Sequence, residues 1–119
     1  MWLPDDPEER KNLPITEGVL DYFPLAIAEV ARVSKAGNDQ HNPGTPLHWS
    51  HGKSTDHANC VGRHLVDRFE RDTDGTRHAA KMAWRSLAFL EMLMRAERAG
   101  MSYNDYIAAL KRQEENRNA

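Results

Sequence analysis

Apolar positions along the chain recur three and four residues apart, no segment alternates with period two, and β-branched residues are sparse. That pattern predicts helices and no sheet. The first helix is expected from about Tyr22 to Ala36. Asp21 is placed to cap it, Pro24 is tolerated in its first turn and Gly37 stops it. Phe23, Ile27, Val30 and Ser34 form its stripe, widened by Ala26 and Val33. Ile15–Leu20 adds a short turn before it. A second helix is expected from His57 to Arg71, capped by Asp56. At 100° per residue it separates Ala58, Leu65, Val66 and Phe69 from a polar side made of His57, Cys60, His64, Asp67, Arg68 and Arg71. The turn Asp72-Thr73-Asp74-Gly75 leads into the longest helix, about Thr76 to Ala99, ended by Gly100. Its broad apolar face comprises Ala79, Met82, Ala83, Leu87, Leu90, Leu93 and Met94. Ser102 caps a last helix running through Tyr106, Ile107 and Leu110. Short connections between the last three helices favour antiparallel neighbours. The expected fold is all-α, a small bundle of four to five helices.

Residues 1–14 read as a flexible arm, with three prolines and the charge run Glu8-Glu9-Arg10-Lys11. Residues 15–112 form a single helical domain, and residues 113–119 are a polar, frayed tail. A chain of 119 residues is long enough for one core and too short for two. A loop from Asn38 to about Thr55 carries Pro43, Gly44, Pro46 and Gly52, and loops longer than about 12–15 residues inside compact domains are often functional. Around it cluster His41, Asn42, His48, Trp49, His51 and Lys53.

Composition narrows the function classes. Lys and Arg number 16 against 18 Asp and Glu, a formal charge of -2. That balance argues against a nucleic-acid coat, which needs a basic excess. The single cysteine, Cys60, excludes an internal disulfide. No apolar run is long enough to span a bilayer, and the acidic N-terminus lacks the basic start of a signal peptide. The expectation is a cytoplasmic protein with neither a nucleic-acid nor a membrane partner. The methionines of the long helix fill a core or a subunit interface. Met82, Phe89, Met92 and Met94 exceed what one small core needs, which points to a homodimer or larger.

Two motifs fail on their spacing. Gly52-Lys53-Ser54-Thr55 resembles the end of a P-loop, but Leu47 stands where the first glycine belongs and no strand precedes it. Glu70-x-Asp72-x-Asp74-Gly75 echoes a calcium loop, but the twelfth position, where a bidentate glutamate belongs, is Lys81. Asp72 and Asp74 then read as turn and capping residues. All six histidines fall within the 38 residues from His41 to His78. His64 and Asp67, at i and i+3, have the spacing of two ligands on one ion, or belong to a solvated, hydrogen-bonded face. His78, Lys81 and Arg85 along the long helix, with Arg63, Arg68 and Arg71 on the second, suit a small anion such as phosphate, or form ordinary ion pairs. Trp49 and Trp84 stack a base or fill the core.

Several of these pieces, in their order, resemble a phage family named for a dATP/dGTP diphosphohydrolase N-terminal domain. They are Pro24-Leu25, Glu29-Val30-Ala31, Lys35-Ala36-Gly37, His41-Asn42, His48-Trp49, Arg63-His64-Leu65, Asp72-Thr73-Asp74-Gly75, Arg77-His78-Ala79-Ala80 and Ala83-Trp84-Arg85, spanning roughly residues 14–95. The family looks similar to the all-α, MazG-like nucleotide pyrophosphohydrolases. The resemblance implies an oligomeric helical bundle that binds a nucleotide with a divalent metal, Mg²⁺ or Mn²⁺, held by carboxylates on adjacent helices. Carried onto this chain, it implies Glu29, His64 and Asp67 as catalytic groups and Glu29, His64, Asp67 and His78 as metal ligands. Lys53, Arg63 and Arg85 would hold phosphates, and His41, Asn42, Trp49 and His78 would line the substrate. A donor set of His, Asp and Glu suits Mn²⁺, Ni²⁺ or Zn²⁺ better than Mg²⁺.

Two functions follow from the resemblance. One is metal-dependent cleavage of a (deoxy)nucleoside triphosphate between its α and β phosphates. The other is a non-catalytic sponge that sequesters a host nucleotide signal, cyclic nucleotides included, in the cytoplasm of an infected cell.

Overall fold

The computed structural model describes residues 1–117 and is all-α, with five helices and no strand among the described residues. The helices are α1 (Pro7–Lys11), α2 (Pro24–His41), α3 (His57–Val66), α4 (His78–Arg98) and α5 (Tyr103–Arg117). A wide π-helical turn, Thr16–Leu20, precedes α2. The long α4 is the hub, packing against α2, α3 and α5. No described helix is long and apolar enough to cross a membrane.

Helix ends follow local chemistry. Asp6 caps α1 by accepting from Glu9 N, with Pro7 in the first turn. Ser102 Oγ accepts from Asp105 N (3.1 Å) and starts α5 as its sequence predicts. Helix α2 does not stop at Gly37 but runs on to His41, because a glycine costs a helix only about 1 kcal/mol and Asn38 has a use beyond it. The buried Asn38 amide donates to Thr45 O (3.1 Å) and accepts from His48 N (3.2 Å), pinning the following loop to the helix end. Helix α3 ends at Val66 rather than Arg71. Helix α1 and the Trp2 ring lie inside the segment read as an arm, and Trp2 sits under the guanidinium groups of Arg95 (4.4 Å) and Arg98 (5.2 Å). Gln113–Arg117 is helical, whereas the fraying expected at residues 118 and 119 lies outside the described residues.

Burial departs from the helical-wheel expectation. The buried apolar residues are Cys60, Ala80, Ala88, Met92, Ala96 and Ile107. On α4 they fall on a row spaced by four, Ala80–Trp84–Ala88–Met92–Ala96, with Trp84 half-buried. Such a row advances about 40° around the helix at each step, so the buried face winds from one neighbour to the next. The alanines leave room for close helix approach. On α3 the side that packs on α4 is the polar one: His57 and Cys60 are buried and His64 is half-buried. Leu65, Val66 and Phe69, expected inside, are 47%, 77% and 86% exposed. Leu87, Leu90, Leu93 and Met94 on α4 are exposed as well. A wheel finds an apolar face but does not say which neighbour covers it, and among the described residues no helix lies over these positions.

The side chain of Met92 is fully buried, so Met92→Ala should lower stability by about 2–5 kcal/mol with the helical fold retained. Urea denaturation followed by circular dichroism measures the loss; a change under about 1 kcal/mol would mean the site collapses around the smaller side chain or is not packed as described.

Candidate functional site

The polar seam between α3 and α4 carries the chemistry. On α4, His78, Lys81 and Arg85 occupy one side at i, i+3 and i+7. On α3, His57, Cys60 and His64 have the same spacing and face them. His64 Nδ1 and His78 Nδ1 lie 2.9 Å apart, so one ring donates an N–H to the lone pair of the other. Burial and then the neighbouring His78 and Lys81 push the His64 pKa below the usual imidazole value of 6.5, so His64 is neutral at neutral pH.

The turn before α4 closes the seam at one end. Asp72 Oδ1 accepts from Thr73 N (2.7 Å), and Asp74 Oδ1 accepts from Thr76 N (3.0 Å) and Thr76 Oγ1 (2.7 Å). Gly75 adopts φ 85°, a left-handed conformation that favours glycine. These bonds leave the second oxygen of each carboxylate to Lys81, whose Nζ lies 2.7 Å from Asp72 Oδ2 and 3.0 Å from Asp74 Oδ2. The Thr76 hydroxyl, with Thr76 N and Lys81, lowers the Asp74 pKa to about 2. The Lys81 bond, then the Thr73 amide, lowers that of Asp72. Burial opposes charge on Lys81, but the two carboxylates outweigh it and raise its pKa.

At the other end Arg85 donates to Ser54 O (3.2 Å), Ser54 Oγ (2.9 Å) and His57 Nδ1 (3.1 Å). Accepting at Nδ1 puts the proton of the neutral His57 ring on Nε2, which is buried with no protein partner among the described residues. Burial, then Arg85, lowers the His57 pKa.

The structure brings some of the sequence-derived site residues together and separates others. His64 and His78 meet, and with Asp72 they offer ligand atoms all within 4.8 Å of one another, the group among the described residues with the donor types and spacing of a metal site. Asp67 ends α3 and is exposed, outside that group. Glu29 is paired with Arg32 (3.3 Å) and lines a surface cleft of about 450 Å³ together with Arg71, Asp74, Gly75 and Thr76. Asp74 is thus shared between that cleft and the Lys81 cluster. His41 ends α2, and Asn42 caps it by donating its N–H to Asn38 O. Trp49 is engaged edge-on by His51 (4.2 Å) and Trp84 (5.4 Å), and Trp84 Nε1 donates to Ser34 Oγ (2.8 Å). Both tryptophans therefore pack beneath the loop. Arg63 reaches Asp56 Oδ2 (3.3 Å) and Cys60 Sγ (3.1 Å), and Lys53 is exposed in the loop. Sequence reasoning gave Asp72 and Asp74 only turn roles and read Lys81 as a cation for a small anion or an ordinary ion pair, not as the partner of these two aspartates. The available signal was Lys81 itself, a cation at the ligand position of a calcium-loop pattern.

In this arrangement the cluster does not fit a resident divalent ion. Asp72 is its only carboxylate, and the Lys81 ammonium already occupies the oxygen it would lend. The two Nδ1 atoms are spent on each other. Mg²⁺ in particular demands near-octahedral oxygen coordination.

The family described as dATP/dGTP diphosphohydrolase, N-terminal, matches residues 8–102. The chain belongs to that family, and its helical architecture fits the comparison with all-α, MazG-like enzymes. No curated protein and no solved structure matches the chain.

The lowered histidine values carry a pH dependence with a definite sign. His51, His57 and His64 each have a folded value below the unfolded 6.5. The unfolded chain then binds more protons in this range, so their contribution is full above pH 6.5 and falls as pH drops through the folded values. Asp72 and Asp74 add a second loss below their unfolded value of 3.8, extending for Asp74 to about 2. Urea midpoints should therefore rise between pH 5 and pH 7, with a shallower slope in His64→Asn. A flat profile across that range would contradict the buried, neutral imidazoles.

Proposed function

From membership of that family, we propose that the chain binds a purine deoxynucleoside triphosphate in the cleft beside the Asp72–Thr76 turn. It hydrolyses the bond between the α and β phosphates, giving the monophosphate and pyrophosphate. The observation that carries this reading is the juxtaposition of the cleft with the seam. A space of about 450 Å³ lined by Arg32 and Arg71 shares Asp74 with Lys81, and Lys81 in turn holds Asp72 beside the His64–His78 pair. Its size falls in the roughly 300–1,000 Å³ range of small-molecule sites, and guanidinium groups match phosphate oxygens in geometry and charge.

In this reading Arg32 and Arg71 hold the phosphates, with the exposed Lys53 and Arg63 as outer contacts. His64, neutral at neutral pH, takes the proton of the attacking water. Glu29 lines the same cleft and orients the water or the ribose. Arg85 acts through Ser54 and His57, holding against the seam the loop that carries Trp49 and follows His41 and Asn42 at the end of α2. Asp67, exposed at the end of α3, is assigned at most an outer electrostatic role.

A second reading, a non-catalytic sponge for a nucleotide signal, is favoured by one feature. Asp72 and Asp74, the carboxylates nearest the histidine pair, are already engaged by Lys81. The two readings share the ligand class and differ only in turnover.

A homo-oligomer related in assembly to the MazG-like enzymes belongs to the same proposal. Leu65 and Val66 of α3, Phe69 just beyond it, and Leu87, Leu90 and Met94 of α4 are 47–86% exposed. Exposed apolar side chains in this number suit an association site, and burying each one stabilises by roughly 1.5–3 kcal/mol. A second copy of the same helices is the simplest cover.

Calorimetry with dATP and dGTP should detect binding, and chromatography should detect monophosphate and pyrophosphate. His64→Ala should reduce turnover about 10²–10⁴-fold with binding retained. Binding with no product in the wild type selects the sponge, and no binding at all rejects both readings. Light scattering at micromolar concentration should give a dimer mass or larger, shifted toward the monomer in Leu90→Glu. A monomeric wild type rejects the assembly.

A further inference from the structure

The cluster around Asp72 has the donor types of a metal site and already contains a cation. His64, Asp72 and His78 offer atoms within 4.8 Å of one another. Lys81 stands one turn beyond His78 on α4 and directs its ammonium at the same Asp72 oxygen (2.7 Å) and at Asp74 (3.0 Å). His78 Nδ1 is 4.0 Å from that oxygen. The Lys81 side chain is only 21% exposed, so its charge is poorly screened by solvent. The first oxygen of each aspartate is spent on the turn, at Thr73 and Thr76. The second oxygens converge on the ammonium alone. In the calcium-loop pattern the twelfth residue supplies a carboxylate to an ion held between the third and fifth positions. Here the third and fifth positions are Asp72 and Asp74, and the twelfth supplies the cation instead.

We propose that the Lys81 ammonium is the resident cation of this site, bridging Asp72 and Asp74 where a divalent ion would sit, offsetting one of their two charges and excluding a metal from His64, Asp72 and His78. A metal entering the triad would have to displace the ammonium or sit beside a like charge in a partly buried setting. The chain therefore holds its anionic ligand without a metal of its own. That last consequence rests on the nucleotide reading above; the exclusion of metal does not.

The test uses the full chain and Co²⁺, whose visible absorption reports imidazole coordination. Wild type should show no Co²⁺ band that depends on His64. Lys81→Met keeps the length and packing of the side chain and removes its charge. It should bind one Co²⁺ per chain at least about tenfold more tightly than wild type, and lose it in Lys81→Met/His64→Ala. Lys81→Arg, which keeps the charge, should behave as wild type. A wild-type Co²⁺ band abolished by His64→Ala overturns the proposal, as does a folded Lys81→Met that binds no better than wild type. Should Lys81→Met fail to fold, the wild-type and Lys81→Arg measurements still decide: a His64-dependent band in either overturns the proposal, and none in both supports it. Calorimetry with dATP and dGTP should give affinities unchanged by EDTA, and binding that appears only with added Mg²⁺ or Mn²⁺ also counts against it. Failure to bind nucleotide under either condition rejects the nucleotide reading and leaves the Co²⁺ result standing.

Discussion

One ion pair sets the geometry on which the rest of the candidate site depends. Lys81 reaches back from the first turn of α4 to Asp72 and Asp74, drawing the connection between α3 and α4 tightly over the helix it introduces. With that turn fixed, His78 starts α4 directly opposite His64, and the two imidazoles share a hydrogen bond. The pair is partly buried, so it is neither the weak surface contact that salt screens away nor a fully desolvated pair whose burial costs more than it returns. Both aspartates have their remaining oxygens satisfied by the turn, which makes such a network rigid rather than frustrated.

Arg85, four residues further along α4, performs the corresponding task at the other end of the seam. By binding Ser54 and His57 it ties the 42–56 segment to the helices. Asn38 holds the beginning of the same segment from the end of α2. Two polar anchors and the Trp49–Trp84 contact therefore order a loop that has little apolar core of its own. The seam is thus polar by construction: its helices meet through histidines, a lysine and an arginine, with alanines allowing close approach.

That use of the polar faces has a consequence on the outside. With His57, Cys60 and His64 turned inward, Leu65, Val66 and Phe69 face away from α4. Among the described residues α3 packs chiefly against α4, so its other face stays uncovered. The arrangement that builds the site and the arrangement that leaves these apolar side chains exposed are therefore the same rotation of α3.

The helical class, the positions of α2 to α5 within a few residues, the Ser102 cap and the Asp72–Gly75 turn were legible in the chain, because periodicity and capping are local properties. The resemblance to the diphosphohydrolase family was legible too, carried by short pieces in a fixed order. What remained hidden depended on which face met which neighbour. A wheel ranks the sides of α3 by hydropathy and assigns Leu65 and Phe69 to the core, whereas hydrogen bonding between facing polar groups turns the other side inward. Spacing alone paired His64 with Asp67 three residues away; only the fold brought it to His78, fourteen residues on, and set Lys81 among the carboxylates. Local sequence sets the helical period and caps such as Ser102, but the ends of α2 and α3 and the partners of a side chain are decided by the rotation and approach of helices, which no single segment encodes.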